Sequence, residues 1–458
     1  MSIIGGREMR TMARKRLSRK KMTKRFEDIR SAKEKLQYEY LTERHVISPS
    51  DAAFSVLDHF SHLANNVYNQ GLYRVRQELF AGRWMSYRAL NASMKKSRDQ
   101  RDSMLYDCMK SVHLAQQVLK LVCQNMSSWK EARDAWRKAP HKFTGRPKLP
   151  HYRPKGGRST IIVDNQTAKL RSGGFVEIPV MDNLRIELQH KDTTKIQQVR
   201  IVPQNGRFIA EIVYKTGTVI DYLPDNGRYL TIDPGLDNAF ALATNVKGIT
   251  PVLINGRPVK SVNQFYNKER ARLMEAHDRS HQPRPSHRLD RLDFVRNQKI
   301  ERFAHEASRR IAEFALSHGL NTIIIGKNKG QKRSSNMGRR NNQNFIGIPH
   351  DRMFQLIQYK ANQLGIVVIG TNESYTSQTS FLDGEEPIHA NGDKARARKG
   401  LMPARRRVKR GLYRSNDGTL LNADINGALQ ILRKVVPNAY ADGIEGIGLC
   451  PVKLSLAF

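Results

Sequence analysis

Apolar residues along this chain change their period three times, and each change marks a boundary. From Glu39 to Ile47 they suit a strand, after which Pro49 and Asp51 introduce a helical stretch. Between Asp51 and about Ala139 they recur every three or four residues, as in Val56, Phe60, Leu63 and Val67, and again in Val112, Ala115, Leu119 and Val122. That spacing lays one apolar stripe along each helix. Near Pro140 the helical period stops. A basic loop follows, Gly145-Arg-Pro-Lys-Leu-Pro150 and on to Gly157, with Tyr152 interleaved. Short alternating or apolar runs then occupy residues 175–180, 184–188, 199–202 and 208–214, and Asn205-Gly206 between the last two predicts a hairpin. A small antiparallel β-barrel is the economical assembly of such strands.

The third region opens near Arg228. Strands are predicted at Tyr229–Ile232, Phe240–Thr244 and Val252–Ile254, and two helices between Gln264 and about Leu316 are broken at Gln282-Pro-Arg-Pro-Ser286. Thr322–Ile325 is a buried strand, Pro349–Leu364 a helix, Ile366–Ile369 another buried strand, and Asn422–Val435 the closing helix. Three strands, helix, strand, helix, strand, helix is the order of an RNase H-like fold. The chain therefore reads as multidomain α/β: a basic disordered tail over 1–38, a first barrel strand over 39–48, a helical domain over 49–140, a β-barrel over 141–227, and an RNase H-like domain over 228–458. A helical insert at 257–320 and a basic loop at 378–420 interrupt the last of these.

Charge narrows the partner. Lys and Arg number 79 against 42 Asp and Glu, a formal net charge of +37. Such a chain repels itself unless a polyanion covers it, and counterion release makes nucleic acid the natural one. Ten of the first 25 residues are Lys or Arg with a single Glu, which predicts a tail that orders only on RNA or DNA. No apolar run of about 18 residues and no signal-peptide pattern is present, so no membrane is expected and the cytoplasm is the default. Cys108, Cys123 and Cys450 are scattered and odd in number, which predicts reduced thiols rather than a disulfide framework or a zinc pair.

Two acids stand where chemistry would need them. Asp233 lies between the strand Tyr229-Leu-Thr-Ile and a tight Pro234-Gly235 turn, and Asp424 opens a helix that Asn422 can cap. In the RNase H order these two carboxylates meet across the fold. A third is missing after the fourth strand, which runs into Gly326-Lys-Asn-Lys-Gly330. The next strand ends in Gly370-Thr-Asn-Glu373, and because ligands collect beyond the carboxyl ends of parallel strands, Glu373 can reach the same cleft. Asp237 lies beyond the turn and is read as ordering that loop.

Together with Asn65-Asn-Val-Tyr-Asn69, Gly145–Pro150, Ile325–Gly330, Asn341–Phe345, Ile348-Pro349, Tyr359-Lys360, Glu373–Ser377 and Asn422–Gly427, these segments make the chain resemble TnpB. TnpB is the RNA-guided nuclease of bacterial insertion sequences, a relative of type V CRISPR effectors and of Fanzor. Most members carry the middle glutamate where Gly326 stands here, and many carry a four-cysteine zinc ribbon. This chain resembles the subgroup whose glutamate sits on the later strand, and with no cysteine between Asp233 and Asp424 no zinc is expected. The resemblance implies a RuvC-type nuclease domain, a helical recognition domain, and a wedge barrel that reads a short flanking motif with the first helices. It further implies a guide RNA, a double-stranded DNA target opened to single strands, and a prokaryotic cytoplasm with nucleoid association.

By the same resemblance Asp233, Glu373 and Asp424 are catalytic and metal-binding. Such sites hold two divalent ions about 3.5 to 4 Å apart, with Asp233 bridging both, Glu373 binding one and Asp424 the other. Mg2+ fits an oxygen-only donor set, and Mn2+ could substitute. Arg74, Arg76, Lys148, Arg153, Lys155 and Arg158 are candidates for phosphate contact, and Lys327, Lys329, Lys332 and Arg333 for guiding a single strand into the cleft. The alternatives are a nuclease-inactive RNA-guided repressor that occupies DNA, and a compact type V CRISPR effector.

Overall fold

The computed structural model describes residues 21–35, 40–96, 109–190, 193, 195–215, 219–280, 286–327, 347–374, 376–387, 407–409 and 411–456. The chain divides into two compact units, Glu39–Thr218 and a second formed by Met1–Tyr38 with Val219–Phe458.

In the first unit β1 (Tyr40–Ile47) is followed by helices α2 (Ala53–Phe80), α3 (Tyr87–Lys96) and α4 (Val112–Lys138), where α1 denotes residues 21–34 of the other unit. Strands β2 (Ile161–Asp164), β3 (Lys169–Arg171), β4 (Phe175–Ile178), β5 (Leu184–Glu187), β6 (Lys195–Gln204) and β7 (Arg207–Lys215) complete it. They pair as two antiparallel sheets, β1-β7-β6-β2 and β3-β4-β5, so among the described residues the hydrogen-bonded ladder does not close into the single barrel expected. The β6–β7 hairpin turns at Asn205 and Gly206 with φ of 49° and 70°. These left-handed values explain why Asn-Gly occupies the turn. Leu57, Phe60, Val67, Leu119, Val122, Phe208 and Tyr214 share one core.

The second unit is built on a six-stranded sheet ordered β12-β11-β8-β9-β10-β16. Its strands are β8 (Tyr229–Pro234), β9 (Asn238–Thr244), β10 (Val252–Asn255), β11 (Thr322–Gly326), β12 (Val367–Thr371) and β16 (Val452–Leu454). The first three form an antiparallel meander, whereas β8, β11 and β12 run parallel. This is the RNase H arrangement with one addition: β16 joins in parallel beside β10. Helices α5 (Arg257–Ser280), α6 (His287–Ser317), α7 (His350–Gln363) and α8 (Ala423–Val435) surround the sheet. A further small sheet comprises β13 (Arg407–Lys409), β14 (Leu412–Arg414) and β15 (Leu420–Asn422).

Strand alternation decides which helix covers which residues. Leu230, Ile232, Ile323 and Ile325 pack with Phe303, Ile311 and Ile357 of α6 and α7. Tyr229, Ile324, Val367 and Ile369 pack with Ile431 and Leu432 of α8. Side chains two residues apart share a face, so Asp233 falls on the α8 side with Tyr229, and Gly326 falls there with Ile324.

The basic tail is the clearest correction. Residues 21–34 form a helix, α1, rather than a structureless arm. Phe26 is buried edge-on against Tyr229 at 5.4 Å between ring centroids. Arg30 is buried as well, donating to the Leu223 carbonyl at 2.6 Å and to Thr322 Oγ1, with Glu34 Oε1 3.0 Å from its Nε. Met22, Phe26 and Ile29 recur at spacings of four and three, a helical stripe that the surrounding cations conceal from any reading by charge alone. Residues 1–20 lie outside the described residues.

Candidate active site

Three acids approach one another at the carboxyl ends of the parallel strands, under the first turns of α8. Asp233 ends β8, and Asp424 sits in the first turn of α8. Asn422 caps that helix as expected, its side-chain oxygen accepting from the Asp424 and Ile425 amides at 3.0 and 3.2 Å. The cap sets the position of the Asp424 side chain, whose Oδ2 also accepts from Asn238 Nδ2 at 2.7 Å.

Two glycines make space for the carboxylates. A Cβ on Gly427, in the first half of α8, would overlap Asp233 Oδ2. A Cβ on Gly326, at the end of β11, would overlap Glu373 Oε2 and come within 2.9 Å of Ile431 Cδ1. Gly326 pairs in register with Thr371, so the turn that follows β12 folds Glu373 back over the neighbouring strand end. The vacant side-chain position on β11 is thus filled by an acid from β12.

Electrostatics couples Asp233 to the other two. Burial raises the Asp233 carboxyl well above the usual range, and the charges of Glu373 and Asp424 raise it further. Burial pushes Glu373 up to about 7 against the opposing pull of Lys434. Mutual repulsion in a buried space is what a cation would relieve. An oxygen-only donor set of this kind suits Mg2+ or Mn2+. Among the described residues, however, no three His, Cys, Asp or Glu side chains close into a ready-made coordination shell. The acids are neighbours around Asp233 rather than a tight cluster.

Helix α8 also secures the segment that carries Glu373. Asn426, fully buried, donates to the Thr379 carbonyl at 2.8 Å and accepts from the Phe381 amide at 2.9 Å. Lys434 Nζ donates to the Ser374 carbonyl at 2.8 Å. Neither residue was singled out in the sequence, although a buried amide and a lysine on an otherwise apolar helix face were visible there. Asp237, as expected, serves its loop: its Oδ1 pairs with Lys260 Nζ at 3.0 Å.

The predicted phosphate contacts divide. Arg74 donates to the Ser93 carbonyl at 2.6 Å, Arg76 lies 4.9 Å over the Tyr152 ring, Arg153 lies 3.8 Å over Tyr68, and Arg158 is paired with Asp58. Burial lowers the Arg153 guanidinium. Asn65 and Asn69 strap this loop to α2, donating to the carbonyls of Pro154 and Arg153 at 2.9 and 3.0 Å. The motif therefore has a structural use whatever else it does. Lys148 and Lys155 are exposed. Lys327 lies 4.8 Å over the Phe354 ring, while Lys329, Lys332, Arg333 and residues 388–406 of the basic loop fall outside the described residues. Among the described residues no helix is long and apolar enough to cross a membrane.

Against known proteins, residues 350–431 match the family model described as "Cas12f1-like, TNB domain". A solved structure of a Cas12f1-sgRNA-target DNA complex is similar at 14% identity over 85% of this chain and 98% of that one, with a TM-score of 0.32. A CRISPR-Cas12f ternary complex is similar at 15% identity over 82% and 80%, with a TM-score of 0.33. Scores of this size do not define a shared fold. No curated protein matches. Residues 350–431, which hold Glu373 and Asp424, are thus similar to a Cas12f1-like TNB domain.

Proposed function

We propose that this chain is an RNA-guided, metal-dependent DNA endonuclease of the TnpB and Cas12f kind. The observation that carries the proposal is the approach of Glu373 and Asp424 to a desolvated Asp233, with Gly326 leaving room for Glu373 and Gly427 for Asp233. Crowding three half-buried acids together is costly unless the site serves a cation. Asp233, Glu373 and Asp424 would hold the divalent ions, which when bound supply an activated water and charge stabilisation at the phosphate. The protein's part is to keep these carboxylates in place: Asn422 and Asn238 fix Asp424, while the sheet and Gly427 fix Asp233.

The net charge of +37 suits a chain that carries both a guide RNA and a DNA target. Target choice would rest on base pairing by the guide, with the protein reading heteroduplex shape and a short flanking motif. The exposed Lys148 and Lys155 remain the favoured contacts among the predicted basic residues, since Arg74, Arg76, Arg153, Arg158 and Lys327 have intramolecular partners. A nuclease-inactive repressor would have little reason to keep all three acids, which favours the enzyme. A genomic repeat array beside the gene would favour the CRISPR-effector form over the transposon-associated one.

Co-expression with the noncoding DNA that flanks the gene, followed by sequencing of the co-purified RNA, identifies the guide. Mg2+-dependent cleavage of a matched target library with randomised flanks is then expected. Guided binding with no cleavage in Mg2+ or Mn2+ would overturn the nuclease reading in favour of the repressor.

A further inference from the structure

Lys434 is the one buried lysine of α8, and it lies on the same stripe as two residues that line the candidate site: Gly427 faces Asp233 and Ile431 faces Gly326. Spacings of four and three residues place Gly427, Ile431 and Lys434 along one side of the helix. Its ammonium reaches the Ser374 carbonyl at 2.8 Å, one residue beyond Glu373, and interacts electrostatically with Glu373 itself.

What lies behind this turn makes the contact matter. Ile369, Gly370, Thr371 and Asn372 line a cavity of about 370 Å3 whose other walls include Phe26 and Ile29 of α1 and Lys434. Close packing normally fixes a segment in a protein interior. Here the chain from β12 to Glu373 borders open volume, so packing alone does not determine how far it folds toward Gly326. A charge-assisted hydrogen bond to the backbone can supply that determination. A lysine in the last turn of a helix ordinarily interacts with the helix's own final carbonyls, whereas Lys434 donates instead across to another segment.

We infer that Lys434 is a positioning residue for Glu373, holding the turn after β12 so that the carboxylate rests over Gly326 beside Asp233. The inference rests on the nuclease reading. Lys434 touches no reacting atom; it acts through the Ser374 carbonyl and the charge of Glu373.

The test uses the full chain loaded with its guide RNA and compares wild type, Lys434→Met and Lys434→Arg. In single-turnover cleavage at saturating complex, Lys434→Met is expected to cut at least about tenfold more slowly, the range typical of supports to metal ligands. Its affinity for the target should be unchanged, and Lys434→Arg should recover most of the rate. Amide exchange without divalent metal should quicken in Lys434→Met at the turn that carries Glu373 and not elsewhere in the unit. Cleavage by Lys434→Met at the wild-type rate, or exchange at the turn no faster than wild type, would overturn the inference. Should Lys434→Met fail to fold, Lys434→Gln takes its place with the same expectations. If wild type itself does not cut, it is the nuclease reading that fails; the exchange result still decides whether Lys434 holds the turn.

Discussion

A single methyl group separates two arrangements of this site. Gly326 leaves room for Glu373 Oε2, and any side chain there would displace it. Gly326→Ala is therefore expected to lower cleavage by roughly tenfold or more and to cost about 1 to 3 kcal/mol of stability, the usual penalty for overpacking. Melting curves and single-turnover rates check both parts. Asp233→Asn should lower the cleavage rate by roughly three orders of magnitude while leaving guide binding intact. Glu373 also dictates a pH dependence. Its folded-state value is raised, to about 7 from an ordinary 4.5. A raised acid favours the fold when protonated, so its contribution is complete below the unfolded value and disappears as pH climbs through the folded one. In chelator, the melting temperature of wild type should fall relative to Glu373→Gln between about pH 4.5 and 7, and Mg2+ should restore it most above that window. A flat difference between the two proteins across that range would contradict the assignment of burial as the cause.

Elements fix where those residues stand, and they differ in how openly the sequence displays them. β8, β11, β12 and α8 were legible because each is a buried run or a clear helical stripe bounded by turn residues, and alternation along Tyr229, Thr231 and Asp233 already implied a shared face. The hairpin at Asn205-Gly206 was legible for the same local reason. Helix α1 was not. Its apolar stripe is interleaved with lysines and arginines, and only the contact of Phe26 with Tyr229, some 200 residues away in sequence, gives it a place to be buried. Closure of the small strands was overestimated, since pairing partners far apart in sequence decide it, as with β1 on β7. The tie from Lys434 to Ser374 is likewise a long-range contact that spacing on α8 hints at without naming its partner. If α1 is part of the fold, Phe26→Ala should destabilise the second unit by about 3 to 5 kcal/mol. A change in melting temperature below the error of the measurement would mean that the helix is dispensable.

At the scale of the whole molecule, an excess of 37 positive charges predicts that the proposed nucleic acid binding depends steeply on salt. Each phosphate neutralised contributes nearly one to the slope of log affinity against log salt. Exposed cations such as Lys148 and Lys155 should each reduce that slope by about one when replaced by Gln, without altering which sequences are cut. Arg153→Gln should instead reduce stability, because its guanidinium packs 3.8 Å over Tyr68. On the proposed function these charges would deliver the substrate, and the reaction would depend on the acids. The most direct measurement is therefore Mn2+ binding, followed by electron paramagnetic resonance, to the RNA-loaded wild type and to Asp233→Asn, Glu373→Gln and Asp424→Asn. Saturable binding in wild type that weakens at least about tenfold in every variant is the predicted result. Binding unchanged in Glu373→Gln would contradict the account, since the three side chains would then not form one site.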